Sequence, residues 1–304
     1  ITATNLGFDV HYDDALGTTV YPSMILALRE LTDEGSLFSF SAFNATDEPV
    51  TVMITVAANV LIEQTTVTQS IQPGENELEL KLNWDFESLK SLLQPGSANF
   101  AYSVSIDGDQ VTTTNKTLGY RAVTECVYGF KDENGDYVNT GFMFAAYVNE
   151  DNPKIDEFLS ESLTHDLVSQ YKGYQGTVDE VITEVFSVWY QLQKNDTKYS
   201  SITTTSNASS TVFSQNVRLF DQVFENSSAN CVDGSAFISS ILLKLGIQPV
   251  LVLVPNHMYM GFYASAGNGD LTLIETTMVG NVDINDILDS QDLQPFADND
   301  YFTG

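Results

Sequence analysis

Basic residues are scarce in this 304-residue chain, and their scarcity limits its partners. Lys and Arg together number 12 against 41 Asp and Glu, which gives a formal net charge of −29 at pH 7. Nucleic acids and anionic membranes are bound through clusters of basic side chains, so neither is expected as a partner. The acidic residues are scattered along the chain, which is typical of a solvated surface and fits an extracellular or salt-rich setting.

Cysteine and histidine are equally sparse. The chain holds two cysteines, Cys126 and Cys231, and three histidines, His11, His165 and His257. None of them forms an H-x-x-x-H or C-x-x-C pair, so no metal site is expected. Glycine-rich phosphate loops and a G-x-S-x-G elbow are also absent, which predicts no nucleotide cofactor and no serine triad.

Long apolar runs are missing as well. No run approaches the roughly 18 apolar residues of a membrane-spanning helix, so no membrane insertion is expected in this chain. The sequence begins at Ile1 without a signal-like apolar stretch. We therefore expect a processed or truncated chain whose signal or anchor segment lies outside it.

The first part of the chain has a period-two pattern that predicts an all-β domain. A length of 304 residues fits about two domains, and the pattern changes near residue 125. The turn at 44–49, followed by Pro73-Gly74-Glu75, resembles turns of bacterial surface sandwich domains. We expect an immunoglobulin-like β-sandwich over residues 1–125. Alternating segments run over 36–43, 50–56, 61–71, 78–82, 100–106 and 111–118, and 86–93 predicts a short helix.

Residues 126–304 predict an α+β domain instead. We expect a strand at 141–147 and a helix at 153–171. A second helix follows Thr177, where Glu180 completes a capping box, and ends near residue 193. The Ser/Thr-rich segment 202–214 predicts a mobile loop. The chain is thus expected to be multi-domain, with an all-β sandwich followed by an α+β domain.

The segment around Cys231 predicts a helix with a thiol at its N-terminus. Apolar residues after Cys231 recur near the helical period until Gly246, and Asp233 lies in the first turn. The positive end of a helix dipole favours a thiolate. Strands are then predicted at 249–254, at 257–263 and at 271–277. His257 opens the second of these strands, and Glu275 lies near the end of the third.

Cysteine, histidine and acid in this order suggest a nucleophilic site. A free cysteine is ordinarily a small buried hydrophobic residue, but Cys231 lies at the N-terminus of a predicted helix. His257 is the only histidine beside that helix, and Glu275 is flanked by apolar and threonine residues. A thiolate, a histidine that pairs with it and a carboxylate that orients the histidine form a catalytic triad.

Residues 178–277 resemble a transglutaminase-like cysteine peptidase domain of the papain-like superfamily. The resemblance rests on the helix 178–190 running into Lys198-Tyr199-Ser200, on the segment 215–224, on the helix from Asn230-Cys231, and on the strand ending in His257. The family usually has Asp before Pro-Thr where this chain has Glu275-Thr276-Thr277.

This resemblance implies roles for individual residues. Cys231 would be the nucleophile, His257 the base and later the acid, and Glu275 the group that orients His257. The oxyanion hole would use the backbone N–H of Cys231 and a second donor, for which Gln215 is the candidate. The alternative for Gln215 is an amide in a surface loop, and Asp233 is interpreted as a helix-turn carboxylate.

The expected function is thiol-dependent acyl transfer on amide bonds of a protein or peptide substrate. Water as acceptor makes a peptidase or amidase, and an amine acceptor makes a cross-linking enzyme. No cofactor and no metal are expected, and the protein is expected to be secreted or at the cell surface. The alternative is a catalytically inactive binding or scaffold protein of the cell surface. The sequence leaves the oligomeric state open.

Overall fold

The computed structural model describes residues 6–12, 19–28, 38–106, 108–132, 134–201, 209–267, 269 and 271–280. The chain divides into two compact units. The first comprises Ile1–Thr140 with Asn207–Ser214, and the second comprises Gly141–Ser206 with Gln215–Gly304. This division assigns residues 126–140 to the first unit. The domain boundary expected between residues 125 and 126 stays a prediction.

Sixteen strands and six α-helices are described. The strands are β1 (Leu6–Tyr12), β2 (Thr19–Val20), β3 (Phe38–Asn44), β4 (Val50–Val56), β5 (Thr65–Ile71), β6 (Gly74–Glu79), β7 (Gly96–Ile106), β8 (Asp109–Tyr120), β9 (Glu125–Lys131), β10 (Tyr137–Asn139), β11 (Lys198–Tyr199), β12 (Val212–Asn216), β13 (Ser228–Ala229), β14 (Pro249–Val254), β15 (His257–Tyr263) and β16 (Leu271–Ile274). The helices are α1 (Pro22–Ala27), α2 (Phe86–Ser91), α3 (Lys154–Ser162), α4 (Val178–Lys194), α5 (Phe220–Asn226) and α6 (Cys231–Lys244).

Two sheets of the first unit share one hydrophobic core. One sheet has the order β1-β3-β6, and the other has the order β2-β8-β7-β4-β5. In β4 the side chains of Val50, Val52, Ile54 and Val56 are buried between exposed or partly exposed neighbours. They belong to the same core cluster as Leu78 of the three-stranded sheet. A sheet with one apolar face must bury it against another layer. The immunoglobulin-like topology stays a prediction.

A third sheet in this unit corrects an expectation. Its order is β10-β9-β12, and it includes residues 212–214 of the segment predicted as a mobile loop. That prediction was wrong for these residues, because pairing with a distant strand outweighs a polar Ser/Thr composition. Residues 202–208 of the predicted loop lie outside the described residues.

The second unit contains the three-stranded antiparallel sheet β14-β15-β16 and the helices that pack on it. The bounds of β14 and β15 are those predicted, and β16 ends at Ile274, where a short 3-10 turn replaces the last predicted strand residues. The core includes buried side chains of α4, α6 and β15, among them Phe186, Phe237 and Phe262. The sheet therefore lies against the helix that begins at Cys231.

Two expectations for this unit were wrong. Residues 141–147 were predicted as a strand but form a 3-10 helix, in which the adjacent Met143 and Phe144 are both buried. A short apolar run is compatible with both a strand and a helix, so its pattern alone does not distinguish them. The helix predicted over 153–171 ends at Ser162, and after one 3-10 turn Asp166 takes a left-handed conformation with φ of 60°. Left-handed backbone cannot continue an α-helix.

Among the described residues, the structure contains no helix whose length and apolar character would let it span a membrane.

Two glycines near the end of α6 allow a matched stability test. Gly173 and Gly246 both have positive φ, at 52° and 74°, but only at Gly173 would an added Cβ collide with a backbone oxygen, that of Leu245. We expect Gly246→Ala to cost about 1–2 kcal/mol through backbone strain alone. Gly173→Ala should cost clearly more in denaturant unfolding, because the collision adds to the strain. Equal losses for the two variants would contradict the close packing at Gly173.

Candidate active site

Cys231 is the first residue of α6, as the sequence predicts, and the helix start is capped twice. The side-chain oxygen of Asn230 accepts hydrogen bonds from the backbone N–H groups of Val232 and Asp233 at 2.8 and 2.9 Å. In return the Asp233 carboxylate accepts the backbone N–H of Asn230 at 3.0 Å. This reciprocal capping box satisfies donors that a helix start would otherwise leave unpaired. The backbone on either side of the thiol is therefore fixed.

Asp233 also anchors the neighbouring segment of chain. Its buried carboxylate accepts the backbone N–H of Arg218 at 2.8 Å and the Arg218 guanidinium at 2.6 Å. A buried charge is tolerated only when it is paired and hydrogen-bonded. Asp233 is thus a structural carboxylate of the first helical turn, as expected, and it attaches the chain after β12 to the start of α6.

The Cys231 thiol is half-buried, and opposing effects act on its pKa. Burial is the largest effect and raises the pKa, while the backbone N–H groups of Met258, Val232 and Cys231 itself lower it. The charge of Glu275 raises it further, and the net direction is upward. The helix start favours the thiolate as expected but does not overcome burial. Cys231 therefore needs a base to remove its proton before it can act as a nucleophile.

His257 opens β15 after a two-residue turn. Asn256 in this turn adopts a left-handed conformation with φ of 63°, and Val254 pairs with His257 across the hairpin. The ring atom Nε2 of His257 lies 2.6 Å from Oε2 of Glu275. The carboxylate thus occupies one ring nitrogen and leaves Nδ1 as the atom that can accept a proton.

Glu275 is held by the turn that follows β16. Its Oε1 accepts the backbone N–H of Thr277 at 2.9 Å and the Thr277 hydroxyl at 2.7 Å, while Oε2 faces His257. The side chain thereby caps the 3-10 turn Thr276–Met278. Both carboxylate oxygens are engaged, so the acid is fixed on two sides.

The turn carrying Glu275 packs directly on the first turn of α6. The carbonyl oxygen of Cys231 accepts the hydroxyl of Ser235 at 2.7 Å and that of Thr276 at 3.2 Å. An added Cβ at Gly234 would lie 3.2 Å from Cβ of Thr276, which is tighter than normal packing. The N–H of Met258, the residue after His257, and the charge of Glu275 both act on the Cys231 thiol, and Glu275 in turn bonds His257.

Gln215 lies in β12, so it is part of a strand rather than of a surface loop. Its Nε2 atom is buried and has no hydrogen-bond partner within the described part of the chain. Its segment reaches the start of α6 through the Arg218–Asp233 pair. An unpaired buried amide is costly and calls for an explanation.

Tyr199 is a site residue whose role the sequence did not reveal. The residue is 43% exposed. Burial of the remainder, followed by the charges of Cys231 and Glu275, raises the pKa of its phenol. The sequence placed Tyr199 in a family-like segment, but only the pairing of β11 with β13 places that segment beside the start of α6.

Across the ranges that the structure describes, no group of three or more His, Cys, Asp or Glu side chains is arranged to hold a metal ion.

Comparisons with known proteins add little to this geometry. No protein-family model matches the chain, and no curated protein matches it. One solved structure found by similarity is a FixG-related protein from Vibrio parahaemolyticus. It is 12% identical, with 39% of this chain and 96% of that chain covered, and the TM-score is 0.24. A similarity at that score supports no conclusion about fold or function.

The two cysteines should differ strongly in reactivity. Cys126 is fully buried, and burial raises its pKa to about 12, whereas Cys231 is only partly buried and backbone N–H groups act against the effect of burial on its pKa. We expect iodoacetamide to alkylate Cys231 at least ~100-fold faster near neutral pH. Because burial raises the pKa of Cys231, its rate should still be rising above pH 8. Mass spectrometry of the two cysteine peptides measures both rates.

His165 provides the control for this experiment, because it bonds to Gln191 and packs on Tyr190. His257→Ala should slow alkylation of Cys231, and His165→Ala should leave it unchanged. Equal rates at both cysteines, or equal effects of both histidine variants, would argue against an activated thiol.

Proposed function

We propose that this protein is a thiol-dependent acyl transferase acting on amide bonds, with Cys231, His257 and Glu275 as its catalytic residues. One observation carries the proposal. Thr277 and His257 hold opposite oxygens of Glu275, while the adjacent Thr276 donates to the backbone of Cys231. A nucleophile, a base and an orienting acid linked through adjacent contacts are what this chemistry requires.

The proposed reaction starts with proton transfer from Cys231 to Nδ1 of His257. The sulfur attacks the carbonyl carbon of the amide, a C–S bond forms, and the carbonyl oxygen becomes an oxyanion. As the C–N bond breaks, the imidazolium returns the proton to the leaving amine. Water, deprotonated by His257, then attacks the thioester, which releases the carboxylic acid and restores the thiol. An amine in place of water gives a new amide and makes the protein a cross-linking enzyme.

Glu275 acts through His257 in this scheme. A carboxylate on Nε2 fixes the tautomer that leaves Nδ1 free to accept a proton, and it stabilises the imidazolium once formed. The raised pKa of the Cys231 thiol makes this base necessary, because the resting sulfur carries its proton at neutral pH. The backbone N–H of Cys231 is the first oxyanion donor, and Gln215 is the sequence-based candidate for the second.

The wider assignment is also a proposal. We infer that an immunoglobulin-like sandwich precedes a transglutaminase-like, papain-like α+β domain, that the substrate is a protein or peptide, and that the protein is secreted or at the cell surface. The shared core of two sheets in the first unit supports the sandwich. The helix at Cys231 followed by the hairpin at His257 supports the second domain. The excess of acidic residues supports an extracellular setting.

A second candidate function is binding without catalysis, as in a cell-surface scaffold. The observation that favours it is the burial that raises the pKa of the Cys231 thiol. A thiol without an effective base would stay protonated and unreactive. The ordered Glu275–His257 pair favours the enzyme, because a disused site has no need to hold both carboxylate oxygens.

Acylation by an activated ester tests the proposal. Mass spectrometry of the intact protein should show a transient acyl adduct that Cys231→Ser abolishes. His257→Gln should slow acylation about 10²–10⁴-fold through loss of the base. His165→Gln is the matched control and should leave the rate unchanged. If wild-type protein forms no adduct although iodoacetamide labels Cys231, the acyl-transfer proposal is contradicted and the binding function is favoured. Peptide and amine substrates then distinguish hydrolysis from cross-linking.

A further inference from the structure

The strand β11 places Tyr199 beside the chain that leads into Cys231. Tyr199 pairs with Ala229 in a parallel ladder, and the flanking hydrogen bonds from Lys198 to Ser227 and from Ser200 to Ala229 measure 2.9 and 2.8 Å. Paired strands lie about 5 Å apart, and Ala229 precedes the nucleophile by two residues. The backbone of Tyr199 is therefore fixed close to the start of α6.

The same strand also contacts the chain that follows Glu275. Gly280 has φ of 81°, and an added Cβ there would collide with the carbonyl oxygen of Thr197. The N–H of Gly280 donates to the side chain of Gln193 at 2.9 Å. β11 is thus paired with the segment leading to Cys231, and the chain just before β11 packs against the segment that follows Glu275. These contacts fix the backbone that carries Tyr199.

The phenol of Tyr199 is suited to donate a hydrogen bond at this place. The residue is partly exposed, so a ligand can reach it. Burial and the charges of Cys231 and Glu275 raise its pKa, so the hydroxyl keeps its proton at neutral pH. A protonated hydroxyl close to a site where negative charge develops stabilises that charge.

The alternative donor is less accessible. Nε2 of Gln215 is buried, so a substrate oxygen cannot contact it unless the surrounding chain moves. An oxyanion donor must lie within about 3 Å of the oxygen that becomes negative. A group at the cleft surface meets this requirement more directly than an enclosed one.

We propose that Tyr199 is the second oxyanion donor, so that its hydroxyl bonds the former carbonyl oxygen of an acyl group attached to Cys231. This inference rests on the proposed function. The phenol keeps its proton throughout, while the backbone N–H of Cys231 donates to the same oxygen. Tyr199 would thus be a catalytic residue that contacts the reacting carbonyl group. Its contribution should appear in acylation and deacylation, because both pass through a tetrahedral oxyanion.

Two reactions of Cys231 separate this role from any general effect on the thiol. Acylation by an activated ester passes through an oxyanion, whereas alkylation by iodoacetamide displaces iodide and forms none. We expect Tyr199→Phe to slow acylation about 10²–10³-fold and to leave the alkylation rate unchanged. Gln215→Met should change acylation less than Tyr199→Phe does. Tyr137→Phe, at an exposed tyrosine of the first unit, is the matched control.

Each outcome of these experiments supports or overturns the assignment of Tyr199. Unchanged acylation in Tyr199→Phe, with an active wild type, would overturn the assignment, as would a larger loss in Gln215→Met. A parallel loss of acylation and alkylation would also overturn it, because Tyr199 would then act on the thiol. Absence of acylation in wild-type protein would refute the proposed function itself, and this inference with it. Thermal unfolding at the wild-type temperature establishes that each variant is folded.

Discussion

The buried carboxylate of Asp233 is the constraint on which the site depends. It accepts the N–H of Asn230, the N–H of Arg218 and the Arg218 guanidinium. These bonds offset the cost of burying its charge, and removing the arginine would leave an uncompensated ion at a cost of about 3–5 kcal/mol. They also fix the first turn of α6, so the Cys231 backbone N–H points in a defined direction. The segment that carries Glu275 also contacts that turn, because the Thr276 hydroxyl donates to the Cys231 carbonyl and Thr276 packs against Gly234.

The chemistry of Cys231 follows from a competition within this fixed turn. Backbone N–H groups at the helix start stabilise the thiolate, and burial together with Glu275 destabilises it. Burial is the larger effect, so the pKa of the Cys231 thiol is raised. In the proposed mechanism His257 is the general base, and Glu275 orients it through the bond to Nε2. Attack of the sulfur on a carbonyl group would place negative charge on the substrate oxygen, which is the charge that Tyr199 is proposed to stabilise.

Local patterns predicted the elements that carry Cys231, His257 and Glu275. The capping residues Asn230 and Asp233 mark the start of α6, and the turn before His257 marks the hairpin, because both signals lie within a few residues of sequence. The Arg218–Asp233 pair and the position of Tyr199 could not be predicted in the same way. They depend on which distant segments are in contact in the folded chain. The charge or periodicity of a single segment does not predict such contacts. The strand at 212–216 was missed for the same reason.

The distance between Sγ of Cys231 and Nδ1 of His257 tests the triad most directly. A crystal structure of the protein, with both side chains resolved, would provide it. We expect about 3–4 Å, with Glu275 still on Nε2, because the base must reach the thiol proton through a hydrogen bond. A separation above about 8 Å, with Glu275 still bonded to His257, is beyond the reach of one bridging water and would contradict a catalytic triad at this site.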